Sequence, residues 1–298
     1  MNWDEDIEFY KEYLKLQRGL SNNSISAYET DIKKLIEYLE TQQLELKPSE
    51  VKLTHIRGMI EWLAEKGIAT RTQARIISGI KQFFKSMIID ERIDEDPTSL
   101  IEAPKLGRKL PSVLSVEQIE SMLDNIDLSR NDGYRNKAII GTLYSCGLRV
   151  SELTDMQISN ISFENGYVRI LGKGRKERLV PVNDRVLADI KSYIEGWRSE
   201  QDVDPKSSDI VFLNKEGKQM SRISVFNIIK KTVADAGIDM VVSPHTLRHS
   251  FATHLIAGGA NVRAVQEMLG HATIMTTEIY THLDRNYLEE SIKKHPRS

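Results

Sequence analysis

Cysteine is nearly absent from this chain: among 298 residues, only Cys146 carries a thiol. A single cysteine excludes an intramolecular disulfide and leaves no CxxC pair for zinc, which fits a reducing interior. No apolar run approaches the roughly 20 residues needed to cross a bilayer. The first ten residues, MNWDEDIEFY, are acidic where a secretion signal would be basic and then apolar. Internal repeats, low-complexity tracts and a GxxxxGK[ST] phosphate loop are missing too. These absences predict a soluble, cytoplasmic chain with no membrane association, long enough for two domains.

An excess of either charge is also lacking, with 41 basic against 43 acidic residues. Overall balance is a poor advertisement for a polyanion partner, but the charges are segregated. Between Lys66 and Ile89 the chain carries Lys66, Arg71, Arg75, Lys81 and Lys85 without an acidic residue. A second acid-free stretch, Pro104 to Val113, holds Lys105, Arg108 and Lys109. Acidic residues crowd the first dozen positions instead.

Patterning predicts a mainly α chain with a small β-sheet. Up to about Ile101 apolar residues recur at three and four spacing, as in Ile7, Tyr10, Leu14 and Ile32, Leu35, Ile36, Leu39. Breaks fall at Gly19 to Asn23, near Pro48 and at Gly67. One helix is expected from about Ser24 behind polar capping types, and another from Thr70 to Met87. The second would place Ile76, Ile77, Ile80, Phe83 and Phe84 on one side and leave Arg71, Arg75, Lys81 and Lys85 largely free on another. APKLGRKLPSVLS has the composition of an extended linker. The expected division is a helical domain over 1–103, a linker over 104–112 and an α+β domain over 113–298. In the latter, Ser115 and Gln118 form a capping box, and NKAIIGTLYSCGLRVSELTDM is an apolar helical stretch broken at Cys146-Gly147. GYVRILGKGRKERLVPV reads as a β-hairpin with Lys173 at its turn. Helices resume from about Asp184.

Arg149, Lys173, His245, Arg248, His271 and Tyr280 follow one another along this second half. Cutting a phosphodiester strand without a metal requires a nucleophile, positive charge on the non-bridging oxygens and a proton for the departing oxygen. The set holds a candidate for each, which suggests DNA strand transfer. Each residue also has an ordinary structural role open to it. Arg149 can pair with Glu152 or Asp155, and Arg248 can form a salt bridge beside a core histidine one turn away at His245. Lys173 can be a solvated hairpin tip, although glycine on both sides lets the backbone approach a ligand closely. His271 can cap the helix that Gly270 ends, and Tyr280 can pack. A zinc site built from His245, His249, His254 and His271 is a further alternative. Arg248 among them fits an anion better than a cation.

Taken together, LYSCGLRVSEL, the GKGRKER hairpin, PHTLRHSFATHLIAGGANVRAVQEMLGHATI and TTEIYTHL resemble the successive signature segments of tyrosine recombinases, the phage integrase family, and within it the bacterial Xer recombinases. YLKLQRGLSNNSISAYETDIKKLIEYL is similar to their N-terminal DNA-clamping domain, and KKHPRS resembles their tail. The resemblance implies a SAM-like core-binding domain followed by a catalytic domain, clamped around double-stranded DNA. It implies Tyr280 as nucleophile, leaving a 3′-phosphotyrosyl link and a free 5′-hydroxyl, with His245 as base. Arg149 and Arg248 would hold the non-bridging oxygens, Lys173 would protonate the leaving oxygen, and His271 would donate a hydrogen bond to the phosphate. Neither metal nor nucleotide cofactor would be needed. Lower-ranked DNA contacts are Arg71, Arg75, Lys81, Lys85, Lys105, Arg108 and Lys109.

The implied setting is a homo- or hetero-tetramer on two recombination sites, with a second Xer recombinase and a DNA translocase as potential partners. Chromosome-dimer resolution and segregation would be its use. Residues Asn286 to Ser298 would dock on a neighbour, with Tyr287 and Leu288 as anchors, or fold back in cis. A type IB topoisomerase-like enzyme, the integrase of a mobile element and a catalytically silent DNA-binding regulator are the rival functions.

Overall fold

Two separate hydrophobic cores divide the chain into the units Met1–Lys109 and Leu110–Ser298. The computed structural model describes residues 2–102, 104, 113–172, 177–270 and 292–297. Lys105, Arg108, Lys109, Lys173, His271, Tyr280, Tyr287 and Leu288 lie outside the described residues.

The first unit consists of helices α1 (Trp3–Leu16), α2 (Asn22–Thr41), α3 (Leu53–Glu65) and α4 (Thr70–Ile89). Ser21 caps α2, its hydroxyl accepting from the Ser24 amide, and Gly67 turns the chain out of α3 with φ +70°. The apolar stripes meet as their spacing requires. Ile7, Tyr10 and Leu14 of α1, Ile32 and Leu35 of α2, and Ile76, Ile80, Phe83 and Phe84 of α4 are all buried. Tyr10 stands edge-on to Phe83 with ring centroids 5.4 Å apart.

The cationic side of α4 departs from the expected free face. Arg71 and Lys85 are exposed, but the Arg75 guanidinium pairs at 2.6 Å with Asp31 of α2, and the Lys81 ammonium donates to the Ile101 carbonyl at 2.7 Å. The two engaged cations therefore help to hold the unit together.

Asp31 is only 2% exposed and rests against Gly79, where any side chain would strike its carboxylate. Burial pushes the Asp31 carboxyl up to about 6, against the opposing pull of Arg75. Because the folded state holds this proton at a pH where the unfolded chain has lost it, the ionised residue costs stability above that value. The cost is relieved as pH falls toward the ordinary carboxylate range. On lowering pH from 7 to 5 (~2 units), the wild type should gain on the order of 1 kcal/mol relative to Asp31→Asn. Thermal melts of both proteins across that range check this; parallel profiles would refute it.

The second unit is built around α6 (Gly133–Cys146), whose residues from Ala138 to Cys146 are buried on every side, as an apolar helix without a polar face must be. Packed on it are α5 (Val116–Asp124), α7 (Val150–Thr154), α8 (Asp184–Tyr193), α9 (Arg222–Asp235) and α10 (Pro244–Ala257). The Ser115–Gln118 capping box forms in both directions at the head of α5. Cys146, wholly buried at the end of α6, has its thiol pushed up to about 12 by that burial.

Strands β1 (Ile161–Ser162), β2 (Tyr167–Leu171) and β3 (Glu177–Pro181) form an antiparallel sheet in that order. The register pairs Val168 with Val180, Ile170 with Arg178 and Leu171 with Glu177. Helix α11 (Val262–Leu269) packs against β3 and α10. Residues 292–297 fold onto their own unit. Ile292 is buried, the His295 ring lies 4.5 Å from that of Tyr144, and the Asn183 amide donates to the Arg297 carbonyl at 3.0 Å. Among the described residues no helix is long and apolar enough to cross a membrane.

Candidate active site

Helix α6 ends where Gly147 takes φ +59°, a left-handed turn that favours glycine. A side chain there would also strike the Phe251 ring of α10, so the position has neither conformational nor steric room for one. The turn reverses the chain so that Arg149 becomes the N-cap of α7, and its backbone amide donates to Glu152 at 2.8 Å. The Arg149 side chain folds over the same carboxylate, Nη1 to Oε1 at 2.7 Å, while remaining 38% exposed. The ion pair with Glu152 that its spacing allowed therefore exists. It orients the guanidinium without burying it.

Arg248 approaches from α10 and is itself buried. Its two terminal nitrogens donate to the Gly147 carbonyl at 2.7 Å and the Leu269 carbonyl at 2.6 Å, and it stands 3.9 Å from Glu152. Burial and then the neighbouring Arg149 charge pull its pKa down to about 10, which still leaves it charged at neutral pH. A third arginine, Arg178 of β3, grips Glu152 with both arms at 2.9 and 2.8 Å and donates Nε–H to the Met268 carbonyl at 2.8 Å.

Three consecutive carbonyls at the end of α11 thus each accept from a different arginine: Met268 from Arg178, Leu269 from Arg248 and Gly270 from Arg149, the last at 3.0 Å. The last carbonyls of a helix have no partner within it and carry the negative end of its dipole, so they attract cations. Gly270 ends α11 at φ +63°, as a C-terminal cap should. On Glu152, burial would raise the carboxyl, but hydrogen bonds and charge from Arg178, reinforced by Arg149, hold it below the usual carboxylate range. Three guanidiniums against one carboxylate leave net positive charge at a partly open site, suited to a tetrahedral anion.

His245 lies exposed in the first turn of α10, one turn before Arg248. Ser243 caps that turn, its hydroxyl accepting from the Thr246 amide, with Pro244 at the first helical position. Of the alternative metal set, His254 is bound to the Tyr144 hydroxyl at 2.7 Å. Among the described residues no three His, Cys, Asp or Glu side chains group as metal ligands. Lys173 falls in the connection between β2 and β3, and His271 directly follows Gly270 in sequence; both, with Tyr280, are outside the described residues.

Sequence reasoning brought Arg149 and Arg248 forward but passed over Arg178. The available signal was parity: in the hairpin Arg178 shares its face with Val180, which points inward.

Residues 112–286 match the phage integrase family, and residues 7–89 match its N-terminal SAM-like domain. A tyrosine recombinase XerD of Staphylococcus epidermidis is 39% identical over 293 residues, 98% of this chain and 99% of the relative. A tyrosine recombinase XerD of Staphylococcus aureus is 38% identical over 301 residues, with the same coverage of each chain. Among solved structures, the XerH site-specific recombinase bound to a palindromic difH substrate, in a post-cleavage complex, superposes with a TM-score of 0.69. It is 25% identical, covering 96% of this chain and 83% of that one.

Proposed function

This chain belongs to the phage integrase family of tyrosine recombinases, and from that premise we propose how its own residues cut and rejoin DNA. The observation that carries the proposal is the meeting of Arg149 and Arg248, from separate helices, at one end of α11 across a shared carboxylate.

The two guanidiniums hold the non-bridging oxygens of the scissile phosphate. They stay charged as negative charge builds on those oxygens in the transition state. Tyr280 attacks the phosphorus. A phenol has a pKa of about 10, so it needs a base near neutral pH, and His245 accepts its proton. The bond from phosphorus to the 5′-oxygen breaks as Lys173 delivers a proton to that oxygen. The products are a 3′-phosphotyrosyl link and a free 5′-hydroxyl. His271 donates a further hydrogen bond to the phosphate, and its place directly after Gly270, whose carbonyl Arg149 holds, supports that role. Because the protein link retains the phosphodiester's bond energy, the reverse attack reseals the strand without ATP.

The substrate is double-stranded DNA, supported by the structure of the related XerH site-specific recombinase bound to its palindromic difH substrate. Exposed Arg71 and Lys85 of α4 contact phosphates, together with Lys105, Arg108 and Lys109 in the linker. Four protomers act on two duplexes in the cytoplasm, and their use is the resolution of chromosome dimers, a role consistent with the similarity to tyrosine recombinases XerD.

The test is a duplex nicked beside the scissile phosphate, so that the freed 5′ fragment diffuses away and the covalent intermediate accumulates. A denaturant-resistant protein–DNA adduct is expected, at equal yield with and without EDTA. Loss of the adduct in EDTA and its return with zinc would overturn the metal-free mechanism in favour of the histidines as ligands.

A further inference from the structure

Arg178 occupies an inward position of the hairpin, opposite Ile170, where a strand covering a core ordinarily carries an apolar residue. Its side chain is 8% exposed. Every nitrogen of its guanidinium is spent inward, two on Glu152 and one on the Met268 carbonyl. A buried guanidinium costs several kcal/mol unless fully paired, so this arrangement needs a reason. Where Arg248 engages carbonyls with its two terminal nitrogens, Arg178 engages partners with all three of its nitrogens, which sets it apart from a phosphate ligand.

We infer that Arg178 is a positioning residue for strand cleavage: it offsets the charge of Glu152, so that Arg149 and Arg248 keep their charge for the phosphate, and it fixes β3 to the end of α11. The inference rests on the proposed roles of those two arginines. With only Arg149 and Arg248 beside it, Glu152 would cancel one of their two charges. The fork from Arg178 removes that cancellation while leaving Glu152 free to orient Arg149, whose backbone and side chain it also binds.

The mechanical half of the role comes from where Arg178 sits. β3 begins directly after the segment that carries Lys173, and Met268 lies at the end of α11, three residues before His271. A Cβ added at Gly270 would stand 3.2 Å from the Arg178 guanidinium, so that turn packs directly on it. One side chain therefore joins the hairpin of the proposed acid, the helix end that precedes His271 and the carboxylate that aims Arg149.

Single-turnover cleavage of the nicked duplex tests this, read beside DNA affinity and thermal midpoint. Arg178→Met should bind DNA as tightly as wild type but cleave about 100-fold more slowly, the scale of a misplaced reacting group. Adding Glu152→Gln restores the group to two uncancelled guanidiniums, so the double variant should recover part of the lost rate. A purely structural arginine predicts no such recovery. Wild-type cleavage by Arg178→Met, or a double variant as slow as the single, overturns the inference. If Arg178→Met does not fold, Arg178→Lys decides: it keeps charge without the fork, so slower cleavage at unchanged affinity supports the inference and a wild-type rate overturns it. Absence of any adduct from the wild type would instead overturn the underlying function.

Discussion

Tyr280→Phe should bind its DNA site with unchanged affinity and yield no covalent adduct. The substitution removes one oxygen, and with it the only atom proposed to bond to phosphorus. The cations proposed to hold the phosphate are on other segments: Arg149 at the head of α7, fixed by Glu152 and the Gly270 carbonyl, and Arg248 on α10, fixed by the Gly147 and Leu269 carbonyls. Binding and chemistry should therefore separate cleanly in this variant. Denaturing gels of the nicked duplex measure the adduct, and a mobility shift measures affinity on the same preparation. An adduct at normal yield would remove Tyr280 from the mechanism and direct the search to another hydroxyl.

Arg248→Lys should be the second most damaging change, lowering the cleavage rate by about 100- to 1,000-fold, the range for losing one preorganised donor to a developing oxyanion. Arg248 spans two carbonyls, Gly147 and Leu269, on different parts of the chain. A planar fork serves both and still carries its charge toward a third partner. An ammonium is a single point on a flexible stem and cannot. One carbonyl would be left unpaired in a buried place, at a cost of about 1–3 kcal/mol. Stability should therefore fall together with rate, while affinity, which draws on many phosphate contacts, falls far less. Equal losses of rate and affinity would make Arg248 an anchor for DNA rather than a participant in the reaction. Arg149→Lys should do less to stability, because Arg149 is 38% exposed and shares Glu152 with Arg178.

What was legible in the sequence is what local rules decide. The Ser115 capping box, the break at Gly147, the hairpin around Lys173 and the cap at Gly270 each depend on a few adjacent residues. The Arg149–Glu152 pair was visible for the same reason, being three residues apart near a helix start. Long-range pairing was not legible. Nothing near Arg75 or Lys81 announces that Asp31, on another helix, and the Ile101 carbonyl take up part of the cationic face of α4. Arg178 was hidden differently. It stands in a run of cations, GRKER, that reads as a solvated tip, and its parity with Val180 and its pairing with Ile170 are what show that it faces the core. The convergence of three arginines on one helix end depends on tertiary placement, for which a linear pattern holds no signal.

The burial of Cys146 has a practical consequence. Thiol reagents react with the thiolate, and this side chain stays protonated and sealed off at neutral pH. A cysteine introduced at any exposed position, on either unit, should accordingly take up a maleimide dye selectively, with no need to delete the native one first. Fluorophores placed that way could follow synapsis and strand exchange in an otherwise unaltered protein.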